Sequence, residues 1–163
     1  MSDPQRDSES LLEVRASRLH GLGVFALRAI PSGTRVIEYL GERISHDEAD
    51  RRYEHKDGAD SHTFLFIADA GTVIDAGVDG NEARFVNHAC EPNCESVIES
   101  SRVFIDAIRS ITAGEELTYD YQIQRERDDP PDIDAIFACR CGTRGCRGTM
   151  MWPPRRAQRR RRR

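Results

Sequence analysis

The residues best suited to chemistry in this chain are its five cysteines, which fall into two groups. Cys139, Cys141 and Cys146 follow a C-x-C-x4-C spacing near the C-terminal end. Thiolates are the usual ligands of a structural zinc ion, which takes four protein ligands in a tetrahedron. Three closely spaced cysteines therefore predict a zinc site whose fourth ligand comes from elsewhere. Cys90 and Cys94 are the cysteine candidates for that ligand.

Two other roles are open to these cysteines, which could form disulfide bonds or could be free thiols packed in a core. The chain is predicted to lie in the cell interior, because it has neither a long apolar run nor an N-terminal signal sequence. Disulfides are rare there, and the C-terminal segment has few apolar residues with which to bury free thiols. Zinc binding is the favoured interpretation.

The loop 84–94, RFVNHACEPNC, places an Asn-His pair shortly before Cys90, with one residue between them. Asn87 and His88 have side chains that can bind ligands, although an Asn-His pair alone is also common in turns. If Cys90 or Cys94 completes the zinc site, the metal holds this loop against the C-terminal segment. The two motifs would then form one site.

The motif ELTYDY places Tyr119 and Tyr121 two residues apart. On a strand, residues with this spacing point to the same face, so we expect the two tyrosines to lie side by side. They could equally be core residues with satisfied hydroxyls. The motif HGLG at residues 20–23 is weak alone, and because it lacks the G-x-G-x-x-G spacing it does not predict a Rossmann nucleotide site.

Short strands and turns must position these motifs. A helix is predicted at 45–56, where Ser45 and Glu48 have the spacing of a capping box. The charged segment 122–136 contains a Pro-Pro pair and is predicted to be a linker. The pattern indicates a mostly β domain with a small cysteine-rich cap. Strands are predicted, from β-branched and alternating runs between Gly, Pro and Ser turns, at 23–30, 34–40, 62–69, 72–78 and 102–108.

Charge is distributed unevenly along the chain. Its 163 residues carry a net charge of −4, but the tail 155–163 contains seven arginines and no acid. Without this tail the net charge is −11. An acidic body attracts basic partners. The arginine-rich tail is either a solvated, disordered end or a salt-sensitive anchor on nucleic acid.

Taken in order, five motifs resemble those of the SET-domain protein lysine methyltransferases with a C-terminal zinc module, called post-SET. The resemblance covers about residues 11–152. The short chain is similar to the small bacterial members, and the central loop is similar to the trithorax-like branch. The motifs are GLG at 21–23, EYLG at 38–41, GNEARFVNHACEPNC at 80–94, GEELTYDY at 114–121 and CRCGTRGC at 139–146.

This resemblance implies a mostly β SET fold. Small β-sheets surround a C-terminal pseudoknot, in which the ELTYDY segment passes beneath the loop that contains the Asn-His pair, and a cysteine-rich zinc module caps the domain. The implied organisation is a disordered N-terminus at 1–10, a SET domain at 11–123, a charged linker at 124–136, a post-SET module at 137–152 and an arginine-rich disordered tail at 153–163.

The resemblance also implies methyl transfer from S-adenosylmethionine to the side-chain amine of a lysine. Tyr121 matches the catalytic tyrosine, and Tyr39 would line the lysine channel. Tyr119 would narrow that channel, which favours monomethylation, with dimethylation as a further product. One structural zinc ion is implied, with Cys90, Cys139, Cys141 and Cys146 as its ligands.

Several residues are implied to hold the cofactor, some through the main chain and some through side chains. Trp152 would be a stacking lid or would only pack at the end of the cap. Two positions depart from the family pattern: His62 stands where a tyrosine is common, and Ala89 where serine is usual. The implied cofactor-binding residues are His20, Gly21, Leu22, Gly23, His62, Asn87, His88, Arg140 and Trp152.

The expected substrate is a lysine within a basic protein such as a histone, a histone-like protein or a ribosomal protein. The expected location is the bacterial cytoplasm and nucleoid, or the nucleus and chromatin, without membrane contact. One alternative is a non-catalytic zinc module that binds basic proteins or nucleic acid. Another is a methyltransferase with a different acceptor. The substrate lysine and the oligomeric state are left open by the sequence.

Overall fold

The computed structural model describes residues 10–54 and 64–153. Short strands dominate these ranges, which confirms the prediction of a mostly β fold. The helices are α1, His46–Tyr53, and α2, Ile133–Ile136, and a 3-10 turn spans Glu82–Phe85. The strands β1 to β12 are Leu12–Ala16, Leu22–Ala26, Arg35–Glu38, Glu42–Ile44, Leu65–Ile67, Val73–Asp75, Asn87–His88, Cys94–Glu99, Arg102–Ala107, Thr118–Tyr119, Ile123–Gln124 and Met151–Trp152.

The predicted helix is present and begins as its capping residue indicates. The Ser45 side chain accepts a hydrogen bond from the Glu48 amide at 3.1 Å, which satisfies one N–H that the first turn leaves without a helical partner. The Glu48 carboxylate does not complete the capping box, because it pairs with Arg51 and Arg52 instead. Residues 55–56 of the predicted helix and 62–63 of the predicted strand lie outside the described residues.

The main core lies against the antiparallel sheet β3-β9-β8. Its central strand β9 turns Val103 and Ile105 inward, where both are fully buried. β8 and β9 form a hairpin whose turn residues, Ser100 and Ser101, have φ angles of 49° and 61°. Positive φ at both turn positions matches the right-handed twist of the strands. The hairpin thereby places Cys94, the first residue of β8, inside the core.

Two pairs of very short parallel strands join segments that are distant in sequence. β10 pairs with β7, so that Thr118 lies opposite Asn87 and Tyr119 opposite His88. β11 pairs with β12, which returns the C-terminal segment to the body of the molecule. The segment predicted to be a linker therefore contains β11 and α2. The domain boundaries themselves stay predictions.

Across the described ranges, none of the helices combines the length and the apolar composition that a membrane crossing would require.

Candidate functional site

Four cysteine sulfurs converge near the C-terminal end of the described chain. The ligand atoms of Cys90, Cys139, Cys141 and Cys146 all lie within 4.8 Å of one another, and the Sγ atoms of Cys90 and Cys139 are 3.7 Å apart. A tetrahedral zinc ion with Zn–S bonds of about 2.3 Å separates its sulfurs by about 3.8 Å. The spacing and the soft donor set fit such an ion. This cluster of thiols can hold a metal.

Cys94 takes no part in this cluster. It lies in the main core with an exposed fraction of 0%. Burial raises the pKa of its thiol to about 12, so the group stays protonated and apolar at neutral pH. Of the two candidates for the fourth ligand, only Cys90 is near the other sulfurs, because β7 ends just before it and turns it toward the C-terminal segment.

The two tyrosines of ELTYDY lie side by side, as their spacing predicts. The ring centroids of Tyr119 and Tyr121 are 4.8 Å apart. The Tyr121 hydroxyl donates a hydrogen bond to the Val86 carbonyl at 2.7 Å, which holds the ring against the loop 84–94. Burial raises the pKa of both hydroxyls above the ordinary tyrosine value. Both therefore remain neutral hydrogen-bonding groups.

An aromatic row continues from these tyrosines to Tyr39. Phe66 lies between them, with its ring centroid 6.2 Å from Tyr119 and 5.3 Å from Tyr39. The Tyr39 hydroxyl donates to the Phe64 carbonyl at 3.0 Å, and burial raises its pKa. Sequence reasoning selected Tyr39 but missed Phe64 and Phe66. Two aromatic residues in one predicted strand were the signal for them.

Asn87 holds the loop that contains HGLG. Its side-chain nitrogen lies 3.1 Å from the His20 carbonyl oxygen, 2.9 Å from that of Leu22 and 2.9 Å from the Glu116 carboxylate. All three neighbours are acceptors, which fixes the orientation of the amide. The amide oxygen is then the atom that Asn87 can offer to a ligand.

Both glycines of GLG occupy positions that disfavour a larger residue. Gly21 has a φ of +45°, a left-handed conformation that favours glycine, and a side chain there would point into open space. At Gly23 an added Cβ would lie 2.2 Å from a Glu116 carboxylate oxygen. Leu22 between them is about half exposed. This turn therefore presents main chain and an apolar side chain at an open surface, which fits a small ligand.

Ser17 and Glu116 complete this network and were missed in the sequence. The Ser17 hydroxyl lies 2.8 Å and 2.9 Å from the two Glu116 carboxylate oxygens, and its oxygen accepts from the Leu19 amide at 2.9 Å. Glu116 thus links the HGLG loop, Asn87 and the tyrosine segment. It belongs to the motif GEELTYDY, where a carboxylate next to a buried strand was the available signal.

Asn93 fixes the position of the segment that contains the two tyrosines. Its side chain donates to the Glu116 carbonyl at 2.8 Å and accepts from the Thr118 amide at 2.9 Å. The bond to Thr118 is buried and the bond to Glu116 is partly buried, and the two satisfy main-chain groups of this segment. The loop 84–94 therefore holds the tyrosines through Asn93 and Val86 together.

His88 connects the tyrosine segment to the sulfur cluster. Its Nδ1 accepts a hydrogen bond from the Tyr121 amide at 3.0 Å, and its Nε2 lies 3.5 Å from the Cys90 sulfur. Burial lowers the pKa of the imidazole to about 4, so the ring is neutral at pH 7. Since Nδ1 is an acceptor, the proton is on Nε2 and faces the sulfur.

Two further predicted cofactor residues, Arg140 and Trp152, lie at the edge of the site. Arg140 is exposed and sits between two cysteines of the cluster. Trp152 is half-buried, and the Arg147 guanidinium lies over its ring at 5.2 Å from the centroid. His62 lies outside the described residues. The roles predicted for all the site residues stay predictions, while the structure brings the described ones into one connected region.

A family model described as the SET domain matches residues 21–122. A histone-lysine N-methyltransferase of Saccharomyces cerevisiae, named as specific for H3 lysine-4, is 43% identical over 138 residues, which cover 81% of this chain and 12% of the relative. The protein of the same name from Mycosarcoma maydis is 41% identical over 149 residues, or 87% of this chain and 10% of the relative.

The histone-lysine N-methyltransferase trithorax of Drosophila virilis is 39% identical over 135 residues, which cover 80% of this chain and 3% of the relative. The chain therefore belongs to the SET-domain family. It spans about a tenth or less of the length of these curated relatives.

Proposed function

We propose that this protein transfers a methyl group from S-adenosylmethionine to the side-chain amine of a lysine in a basic protein. The observation that carries the proposal is the position of Tyr121. Its neutral hydroxyl is fixed to the Val86 carbonyl, and its ring ends a partly buried aromatic row that begins at Tyr39. Its amide is bonded to His88, in the loop that also contains Asn87.

When bound, S-adenosylmethionine would supply a methyl group on a sulfonium, which needs no metal and no covalent intermediate to be transferred. The side-chain amide oxygen of Asn87 and the main chain around Gly21 are the groups that would hold this cofactor. The half-exposed Leu22 would cover an apolar part of it. These roles match the open, partly apolar surface beside the glycine turn.

The obstacle to the reaction is the proton on lysine, whose pKa is about 10.4 in water. A site without water and the positive charge of the cofactor's sulfonium would both disfavour the charged ammonium and lower that pKa. Tyr121 stays protonated near neutral pH, because burial raises its pKa. It therefore orients the reacting groups by hydrogen bonding and does not act as a base. Positioning in a dry site supplies the rate.

The metal in this proposal is one zinc ion with a structural role. Four cysteines would fill all four positions of a tetrahedral ion and leave none for water or substrate. The ion would hold Cys90, and with it the Asn-His loop, against the C-terminal segment. It would thereby close one side of the cofactor site.

The charge of the chain supports a basic substrate. The net charge of residues 1–154 is −11, which favours a lysine within an arginine- and lysine-rich segment. A histone or histone-like tail has this chemistry, and the relatives are named for a histone lysine. The protein would then act at chromatin or at a nucleoid. The arginine-rich tail at 155–163, which lies outside the described residues, would add a salt-sensitive contact with nucleic acid.

Tyr119 would limit the number of methyl groups. Its side chain is buried with its ring beside that of Tyr121, and its hydroxyl would occupy space that additional methyl groups on the amine need. We expect the wild type to give mainly monomethyl-lysine and Tyr119→Phe to give more di- and trimethyl-lysine, measured by mass spectrometry of the product. An unchanged product distribution in the variant would contradict this role.

The proposal is tested with radiolabelled S-adenosylmethionine and a mixture of basic proteins that includes histones. We expect label on protein lysines with the wild type and a loss of about 100-fold or more with Tyr121→Phe, in line with loss of a positioned hydroxyl. Binding of S-adenosylmethionine is measured in parallel by calorimetry. Cofactor binding without transfer would point to another acceptor. Absence of both would support the non-catalytic zinc module.

A further inference from the structure

An ion pair joins the C-terminal cysteine module, residues 137–152, to the tyrosine segment, residues 117–121. Arg147 directly follows the last cysteine of the cluster, and Asp120 lies between the two tyrosines. The two guanidinium NH groups of Arg147 donate to the two carboxylate oxygens of Asp120, each at 2.8 Å. Both side chains are more than four-fifths buried. Two-point pairs of this kind fix orientation as well as distance.

Arg147 also contacts the sulfur cluster and the tryptophan. Its main-chain N–H donates to the Cys90 sulfur at 3.3 Å, and its guanidinium lies over the ring of Trp152. Its buried Nε has no hydrogen-bond partner within the described part of the chain. Burying an N–H group without a partner costs free energy. The contacts of the guanidinium with Asp120 and Trp152 offset that cost and hold it in place.

The imidazole of His88 provides a second link between the same two regions. It accepts from the Tyr121 amide and faces the Cys90 sulfur, and its Nδ1 is 3.5 Å from an Asp120 carboxylate oxygen. The two links therefore meet at adjacent residues, the ion pair at the Asp120 carboxylate and the imidazole at the Tyr121 amide. Any shift of the cysteine module relative to this carboxylate also shifts the main chain on either side of it.

We propose that Asp120 and Arg147 are positioning residues that hold the cysteine module in its docked position, with Tyr121 and Trp152 placed by this contact. The activity part of this inference rests on the proposed function, whereas the docking part does not. Neither residue is proposed to touch the reacting atoms. Asp120 acts on the tryptophan through Arg147, and Arg147 acts on the tyrosine through Asp120.

Three variants separate docking from metal binding. Asp120→Asn weakens the pair while Arg147 and all four cysteines remain. Arg147→Lys keeps the charge but cannot form the two-point contact. The double variant Asp120→Arg, Arg147→Asp restores a pair of opposite charges in reversed order. Glu99→Gln is the matched control, because Glu99 makes a two-point contact of 2.8 Å and 3.0 Å with Arg35 within the sheet β3-β9-β8.

The first readout is the fluorescence of Trp152, which is the single tryptophan in the chain. Each protein is loaded with zinc, its metal content is measured, and quenching of its fluorescence by acrylamide is recorded. We expect Asp120→Asn to retain one zinc ion per chain and to show stronger quenching, because the half-buried ring becomes more accessible. Glu99→Gln should behave as the wild type, and the reversed pair should move back toward it.

The second readout is methyl transfer, with kcat and KM measured separately. We expect Asp120→Asn to lower kcat/KM by about 10- to 100-fold, the range for losing one charged partner of a buried pair. Arg147→Lys should keep part of the activity. Both kcat and the KM for S-adenosylmethionine should change, because the contact places a tyrosine and a tryptophan. The double variant should recover activity that neither single charge reversal retains.

Several results would overturn the inference. Wild-type quenching and wild-type kcat/KM in Asp120→Asn would show that the pair positions nothing. Loss of zinc in that variant would show that the pair maintains the metal site itself and does not dock it. If the wild type transfers no methyl group, the proposed function fails, while quenching at full zinc content still decides whether the pair holds the module.

Discussion

The body of the molecule and its cysteine module are held together by different forces. The main core of the body contains ten buried residues around the sheet β3-β9-β8, with Ile105 and Leu117 fully enclosed. Between 137 and 153, only three residues are buried. The burial of apolar surface, at about 25 cal/mol per Å², can stabilise the body. The cysteine module buries too few side chains to be stabilised in this way.

The module compensates with polar and sulfur contacts to the body. Four sulfurs converge, Arg147 pairs with Asp120, and the two-residue strand β12 pairs with β11. Among the predicted cofactor residues, Asn87 and His88 belong to the body and Trp152 belongs to the module. The candidate site therefore depends on a module that lacks a hydrophobic core of its own. Metal binding would control whether the site is complete.

The largest expected effect comes from removing a sulfur ligand. Cys90→Ser should weaken zinc binding by more than the roughly 10- to 100-fold that loss of a supporting hydrogen bond to a metal ligand costs. Methyl transfer should fall to background, because the Asn-His loop is no longer held to the module. Zinc content and transfer rate after gel filtration check this, with the far-ultraviolet circular dichroism of the body unchanged.

Cys94→Ser is the matched control for that substitution. It changes the same type of residue four positions away, but in the core of the body. We expect zinc content to stay at one ion per chain, while the free energy of unfolding falls by about 1–3 kcal/mol, because a buried hydroxyl replaces an apolar thiol. Loss of zinc in Cys94→Ser with full zinc in Cys90→Ser would reverse the assignment of the fourth ligand.

The next effect concerns the core of the body. Ile105→Ala removes a fully buried side chain from the central strand β9 and should lower the free energy of unfolding by about 2–5 kcal/mol. Because the cysteine module has a separate source of stability, zinc content of the folded protein should not change. Urea denaturation followed by circular dichroism measures the first quantity. A cost below about 1 kcal/mol would contradict the assigned core position.

The smallest effect is acid sensitivity at the turn before the tyrosine segment. The Arg109 guanidinium, followed by the Thr112 amide, lowers the pKa of Glu115 to about 2 against the opposing effect of burial. A carboxylate with a lowered pKa stabilises the fold above its ordinary pKa near 4.5, and this contribution is lost as the pH falls from there toward 2.

Glu115→Gln should therefore cost about 1–2 kcal/mol at pH 7, a range reduced for the exposure of the pair. The difference from the wild type should vanish as the pH approaches the lowered pKa. Urea unfolding at several pH values measures it. Glu13→Gln serves as control, because the Glu13 side chain is about half exposed. A constant difference across the whole pH range would show that the charge of Glu115 is not the cause.

Sequence reasoning reached the parts of the fold and of the candidate site that have local signatures. Ser45 marked the start of α1, β-branched runs marked β6 and β9, and the spacing of Tyr119 and Tyr121 indicated a shared face. Strand ends were less well predicted. The run 23–30 is mostly apolar after Ala26, with Arg28 as the exception, but the chain leaves the sheet there and makes an isolated bridge at Ile30. The local hydrophobic pattern of a segment does not specify where its partner strand lies.

The sequence by itself determined the mostly β class, the motifs that identify the family and the three clustered cysteines, because these depend on residue types at fixed spacings. Residue spacing left the fourth ligand open between Cys90 and Cys94, and the family resemblance implied Cys90. The tertiary structure places Cys90 beside the other three sulfurs, while β8 carries Cys94 into the core. The contacts of Glu116, Asp120 and Arg147 also required the structure, since each joins residues that are distant along the chain.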